Sequence, residues 1–375
     1  MNTIGTDVKT LVVKIGTTLL SGERPFDGVL LEEIVRDLAE LKRERDINIL
    51  IVSSGAIGCG MNALGLTTRP KSLPLKQAAA AVGQATLMHY YETLFRHYGE
   101  ELKTAQVLLT AADLDNRQSY LNVRNTIHTL FELKKVIPIV NENDSIATEE
   151  IKFGDNDTLA AKISGKIDAD LLIILSDVDG LFDTNPAKNP DARLIARVEE
   201  VTDEIELLAG DTAAETSIGG MKTKLAAVKI ACAAGLLVVI ANGRRPHIVR
   251  EILAGKGRGT LFCPHEAVLC HRKRWIAFGR KTAGVLKVDG GAQKALLSDG
   301  KSLLPAGVVG IEGAFGVGAA VRVVDSAGRE IARGLVNYSS VDIARIKGVK
   351  SKDIQSILGR KDFDEVIHRN NLVVL

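Results

Sequence analysis

The stretch that decides the fold reads TLVVKI (Thr10–Ile15), GTT (Gly16–Thr18), LLEEIVRDLAEL (Leu30–Leu41) and NILIVS (Asn48–Ser53). Its first and last segments are nearly continuous runs of Val, Ile and Leu. That is the pattern of strands covered on both faces rather than on one. Between them, Leu31, Ile34, Val35, Leu38 and Leu41 share one helical face, with Glu32, Glu33, Arg36, Asp37 and Glu40 opposite. The same rhythm runs outward to about residue 262. Further strands are expected at Ala105–Leu109, Val136–Val140, Leu171–Leu175 and Leu236–Ile240. Helical patterns fall at Leu75–Phe95, Tyr120–Leu133, Thr158–Ile167, Met221–Ala234 and Pro246–Leu253. Such alternation predicts an α/β domain built on a doubly wound, mainly parallel open sheet.

The rhythm changes after Arg272-Lys273-Arg274. Short β-like runs follow at Arg274–Phe278, Gly284–Val288, Gly307–Ile311, Ala320–Val324 and Glu330–Gly334, and the helical period disappears. Glycine-rich turns are expected at 290–291, 313–318 and 328, with helical patches at Val341–Ile346 and Ser351–Leu358. A small β-barrel-like domain is predicted, dividing the chain into residues 1–265 and 273–375.

Composition excludes several classes. With 46% hydrophobic and 25% charged residues, the 375-residue chain has the make-up of a soluble globular protein of about two domains. Aromatics at 4% and 35 glycines favour a close-packed α/β enzyme over an aromatic-rich binding sandwich. No apolar run approaches the ~20 residues of a bilayer span. Met1–Asp7 has no basic region ahead of an apolar core, so a cytoplasmic location is expected. Cys59, Cys232, Cys263 and Cys270 are too few and scattered for a disulfide scaffold, and no Cys-x-x-Cys pair suggests zinc. No structural metal is expected. The net charge of +2 conceals an asymmetry: residues 271–375 hold 18 Lys and Arg against 10 Asp and Glu.

In an open parallel sheet, ligands bind beyond the carboxyl ends of the strands, and four junctions there are polar or glycine-rich. Lys14-Ile15-Gly16-Thr17-Thr18 places a lysine at a strand end before glycine and hydroxyls, suiting a phosphate or carboxylate; a solvated lysine is the plainer reading. Ser53-Ser54-Gly55-Ala56 exposes backbone N–H groups at a strand-to-helix turn, whereas Gly58 and Gly60 are explained by tight helix–strand packing. Asn141-Glu142-Asn143-Asp144-Ser145 and Lys152-Phe153-Gly154-Asp155-Asn156-Asp157 form the densest polar cluster. Turn chemistry and capping explain one or two of these residues. The rest suit an ammonium-bearing substrate, cations or Mg²⁺. Finally, Ser176-Asp177-Val178-Asp179-Gly180 is matched by Ile218-Gly219-Gly220-Met221-Lys222-Thr223-Lys224, where glycines open a helix. Lys222 and Lys224 oppose the dipole of that helix, which argues for an anionic ligand over a solvated basic turn.

The ordered set KIGT (14–17), SSGA (53–56), NEND (141–144), GDND (154–157), SDVDGL (176–181) and GGMKTK (219–224) resembles the amino acid kinase family. The NEND and GDND pair is similar to the members that phosphorylate glutamate. The region from Lys273-Arg274-Trp275-Ile276 through Leu303-Leu304-Pro305-Ala306-Gly307 resembles a PUA domain.

The resemblance implies phosphorylation of the γ-carboxylate of L-glutamate by ATP with Mg²⁺, the first step of proline biosynthesis. It assigns catalysis to Lys14, Lys224 and Asp157, with Asp157 orienting the two lysines. It assigns ATP binding to Lys14, Ser176, Asp177, Ile218, Gly219, Gly220, Met221, Lys222, Thr223 and Lys224. Glutamate falls to Ser54, Gly55, Asp144 and Asn156. A homo-oligomer (dimer or tetramer), inhibition by proline, and hand-off to glutamyl phosphate reductase are implied as well. Ser217-Ile218 departs from the Gly-Thr common in the family, which removes a hydroxyl near the phosphates. Two alternatives stand beside this reading: a sister kinase acting on another carboxylate or carbamate, and RNA binding by the basic C-terminal domain. Against RNA, the basic residues there are interleaved with acids and the chain has one Trp. Nucleic acid and membrane are not expected as partners.

Overall fold

Strand β1 (Thr10–Ile15) is buried from Leu11 onward, and its alternating side chains enter two different cores. Leu11, Val13 and Ile15 join a cluster with Leu31, Ile34, Val35 and Leu38 of α1 (Val29–Glu44) and Leu87, Tyr91 and Phe95 of α3 (Leu73–Tyr98). Val12 joins the cluster across the sheet, with Leu159 of α6 (Asn156–Lys166) and Leu225 and Val228 of α8 (Met221–Ala233). The continuous apolar run is therefore two half-faces read together. At period two, Lys14 shares the face of Val12 and extends toward α6 and α8.

The structure is a computed structural model that describes residues 8–21, 26, 28–147, 156–186, 188–210, 220–264, 282–361 and 363–374. The chain forms two compact units, Met1–His265 and Glu266–Leu375. In the first, β2 (Asn48–Ser53), α2 (Ala56–Ala63), β3 (Lys103–Leu109), α4 (Ala111–Asp115), α5 (Arg117–Glu132) and β4 (Val136–Glu142) occupy the first half. The second half adds β5 (Leu171–Ser176), β6 (Arg197–Val198), α7 (Asp203–Gly210), β7 (Leu237–Asn242), α9 (Ile248–Leu253) and β8 (Thr260–Phe262). The strand order is β3-β4-β2-β1-β5-β7-β8-β6. Every neighbouring pair is parallel except β7 with β8. The chain runs outward from β1 on one side and returns to β5 on the other, so the crevice between them is a topological switch point.

Strand β4 outruns its expected end at Val140. Asn141 and Glu142 stay in the ladder opposite Leu108 and Leu109 of β3, so half of the NEND motif is strand. Gly60 does not serve helix–strand packing, as expected from sequence, but helix on helix. A Cβ there would lie 1.8 Å from the carbonyl oxygen of Ala79 on α3, and one on Gly83 would lie 1.8 Å from that of Ala56 on α2. The two glycines let α2 and α3 touch backbone to backbone.

Among the described residues, the C-terminal unit holds a five-stranded sheet. Its elements are β9 (Gly284–Val288), β10 (Val308–Glu312), β11 (Ala320–Val324), β12 (Glu330–Leu335) and β13 (Leu372–Val374), in the order β10-β9-β11-β12-β13. Leu286, Val288, Val321, Val323, Ile343, Ile346 and Ile354 form its core, with helices Ser340–Ile346 and Ile354–Leu358. The turn expected at Gly290-Gly291 is instead the start of a helix, Gly290–Leu297. Asp289 caps it, accepting from the Ala292 N–H at 2.7 Å, and Leu296 supplies the buried contact that outweighs two glycines. Among the described residues, no helix is long and apolar enough to cross a membrane.

Candidate active site

The carboxyl ends of β1, β2, β4 and β5 converge at the switch point. The β1–β2 register sets Ile15 beside Ser53, and β1–β5 sets Ile15 beside Leu175. Two polar groupings result.

The first joins three elements. Asp157, in the first turn of α6, is fully buried. Its Oδ1 lies 2.5 Å from Lys14 Nζ and its Oδ2 lies 3.4 Å from Lys224 Nζ. Lys14 and Lys224 are 1% and 5% exposed, so both ammonium groups are held at the inner wall rather than in solvent. The first turn of a helix favours Asp157 and disfavours Lys224, and the short contact between them offsets the second effect. Two cations converge on one carboxylate, an arrangement whose ammonium groups suit an anion.

The second grouping is a chain of side-chain amides and hydroxyls. Asn156 Nδ2 donates to the Ser53 carbonyl (2.8 Å) and faces Ser54 Oγ (3.0 Å) and Asn141 Oδ1 (3.0 Å). Asn141 Oδ1 also accepts from the Glu142 N–H (2.9 Å), and Asn141 Nδ2 donates to Gln84 Oε1 (2.9 Å). Ser53 Oγ donates to the Ser54 carbonyl and pairs at 2.8 Å with Tyr91, whose hydroxyl is pushed well above its ordinary pKa by burial. Gly55 has φ +99°, a conformation natural to glycine. It turns the chain from Ser54 into α2 and leaves that N-terminus open to the site. Next to this network is a cavity of about 290 Å³, lined by Gln84, Gln106, Glu142, Asn143 and Asp144 among others.

At the end of β5, Ser176 is buried and donates to Asp177 Oδ1 at 3.0 Å, while Asp177 itself is exposed. Gly220 caps α8, Thr223 Oγ1 donates back to the Gly220 carbonyl at 2.8 Å, Met221 is half-buried and Lys222 is exposed. Ile218, Gly219, Ser217 and the residues from Lys152 to Asp155 lie outside the described residues, as do Arg272, Lys273, Arg274 and Trp275. Beyond Ser176, Asp179 accepts a bidentate pair from Arg245 (3.0 and 2.8 Å), with Arg258 and Asn242 also on it. These contacts, led by Arg245, hold its carboxyl below the ordinary range.

Lys14, Asp157 and Lys224 thus come together, and so do Ser54 and Asn156. Asp144 lines the cavity together with Gln84 and Glu142. Asn141 belongs to the polar cluster singled out from sequence but was given no role of its own, and Gln84 was missed. The available signal for Gln84 was one amide in the small-residue run Ala78–Ala85, a run otherwise read as helix packing. Among the described residues, no group of three or more His, Cys, Asp or Glu side chains is placed to hold a metal ion.

Comparison with known proteins adds to this geometry. Residues 9–242 match the model of the amino acid kinase family, and residues 284–358 match that of the PUA domain. The chain is 50% identical to the glutamate 5-kinase of Caldanaerobacter subterraneus subsp. tengcongensis over 366 residues, covering 97% of each chain. It is 48% identical to that of Moorella thermoacetica (98% of this chain, 96% of the relative) and 49% identical to that of Geobacter sulfurreducens (98% of each). A solved isopentenyl phosphate kinase from T. acidophilum is far more distant, at 17% identity over 68% of this chain and all of its own, with a TM-score of 0.49. By sequence over nearly its whole length, the chain belongs to the amino acid kinase family, in its glutamate 5-kinase branch, with a C-terminal PUA domain.

Proposed function

We propose that the chain transfers the γ-phosphoryl group of ATP to the γ-carboxylate of L-glutamate, giving L-glutamyl 5-phosphate and ADP, the first step of proline biosynthesis. The observation that carries this is the buried Lys14–Asp157–Lys224 arrangement at the switch point, in a chain about half identical to glutamate 5-kinases. A carboxylate is already a nucleophile at neutral pH, so the reaction needs alignment and charge neutralisation rather than a strong base. In this reading Lys14 and Lys224 flank the transferred phosphoryl group, and Asp157 fixes both ammonium groups. Ser176, Asp177 and the segment Ile218–Lys224 hold ATP. Ser54, Gly55, Asp144 and Asn156 hold glutamate, with Asp144 on the α-ammonium.

The donor set bears on Mg²⁺. Asp157 is engaged by two ammonium groups, so the fit is to a Mg²⁺ held chiefly by the nucleotide phosphates, where it neutralises charge. The product is an acyl phosphate that hydrolyses and cyclises readily. A homo-oligomer (dimer or tetramer), a cytoplasmic location and transfer to glutamyl phosphate reductase complete the proposal. So does a functional division into residues 1–265 and 273–375.

The test is ADP release measured with glutamate, aspartate, N-acetylglutamate, carbamate and UMP. Turnover with glutamate is expected. Turnover with another of these and none with glutamate would overturn the proposal.

A further inference from the structure

The amide chain at the site has a fixed direction. At one end the Glu142 backbone N–H requires an acceptor, so Asn141 must present Oδ1 there and turn Nδ2 toward α3. At the other end the Ser53 carbonyl requires a donor, so Asn156 must present Nδ2. Gln84 then has to accept with Oε1 from Asn141, which turns its Nε2 away from the network. Two buried atoms of this chain are left without a partner among the described residues: the donor Gln84 Nε2 and the acceptor Asn156 Oδ1. A buried amide N–H left unmet is costly, and Gln84 lines the cavity, so its Nε2 calls for a ligand there. A donor there complements the carboxylate end of an α-amino acid zwitterion. The cavity that Gln84 lines also carries Asp144 and Glu142, which favour the ammonium, and its volume of about 290 Å³ has room for a small amino acid.

Resting on the glutamate reading above, we propose that Gln84 is a substrate-binding residue whose Nε2 donates to the α-carboxylate of the bound amino acid. It makes the site selective for α-amino acids over simple carboxylates. Asn141 has the supporting role of fixing which way the Gln84 amide points.

The decisive variant is Gln84→Glu. It keeps an oxygen to accept from Asn141 but removes the donor and sets a negative charge against the substrate carboxylate. KM for glutamate is expected to rise by about 10- to 100-fold, as for loss of a hydrogen bond to a charged group. The KM for ATP and kcat should stay within about twofold. Lowering the pH should restore part of kcat/KM, because the introduced carboxyl donates again once protonated. Glu142 and Asp144 face the same cavity, so the wild-type pH profile is the reference. Gln84→Met, uncharged and similar in volume, should raise the glutamate KM without the pH recovery. An unchanged glutamate KM in Gln84→Glu would overturn the proposal and leave Gln84 only a support for Asn141. Equal loss in kcat and kcat/KM with no pH recovery would overturn it too. Failure of the wild-type chain to use glutamate at all would instead remove the underlying reading of function.

Discussion

Asp157→Asn is the most informative perturbation of the site. The native carboxylate is fully buried, 2.5 Å from the Lys14 ammonium and 3.4 Å from that of Lys224. At an effective dielectric of about 20, these distances correspond to gross attractions of about 7 and 5 kcal/mol, set against the cost of drying three charges. The asparagine cannot serve both ammonium groups. Its oxygen accepts from one lysine while its NH₂ faces the other, and both buried cations lose the negative charge they share. Breaking a buried pair in this way costs about 3–5 kcal/mol of stability. Turnover should fall by about 10²–10³, the usual cost of removing one preorganised charge contact. Thermal unfolding and ADP release measured on Asp157→Asn, Lys224→Met and the double variant give the assay. Removing a cation along with the anion relieves part of the imbalance, so the double variant should be less destabilised than the two losses summed, by about 1–3 kcal/mol. The same cycle with Lys14→Met should show the larger coupling, since Lys14 is closer. Additive losses, or an Asp157→Asn enzyme with normal kcat, would refute the argument.

Three further outcomes are expected. Gly83→Ala should destabilise by about 1–3 kcal/mol and raise the glutamate KM, because a Cβ 1.8 Å from the Ala56 carbonyl forces α2 and α3 apart; Gly290→Ala, at a position with open space, should be neutral or slightly stabilising, and melting curves compare the two. Arg245 above all holds the Asp179 carboxyl below its ordinary 3.8, so that contribution is complete above this value and lost as pH falls through the lowered one; Asp179→Asn should lower stability at neutral pH and flatten its acid limb, and equal acid slopes would contradict this. Burial pushes the Cys59 thiol up to about 12, so iodoacetamide at pH 8 should leave it unlabelled in the folded chain and label it in denaturant, as peptide mapping would report.

Much of the architecture was legible from residues alone because buried parallel strands and amphipathic helices carry different periods. Thr10–Ile15 and Asn48–Ser53 coincide with the observed strands. The Gly290–Leu297 helix was misread because two glycines outweighed one capping aspartate in a local reading. Only the buried Leu296 reverses that balance. The apposition of Gly60 with Ala79 was equally hidden, since a glycine's sequence neighbours do not reveal what will press against it.

The sequence by itself determined which chemistry was on hand: lysines, Asp and Asn at the ends of strands, in an order resembling one kinase family. Tertiary structure alone decided which of these groups meet. Lys14, Asp157 and Lys224 lie on β1, α6 and α8, far apart in the chain, and they converge because Lys14 projects from the face on which both helices pack. The direction of the Asn156–Asn141–Gln84 chain was likewise beyond any linear reading. An amide's orientation is set by the donor or acceptor it must satisfy, and here those are the Glu142 N–H and the Ser53 carbonyl, groups that every sequence contains and only a fold can aim.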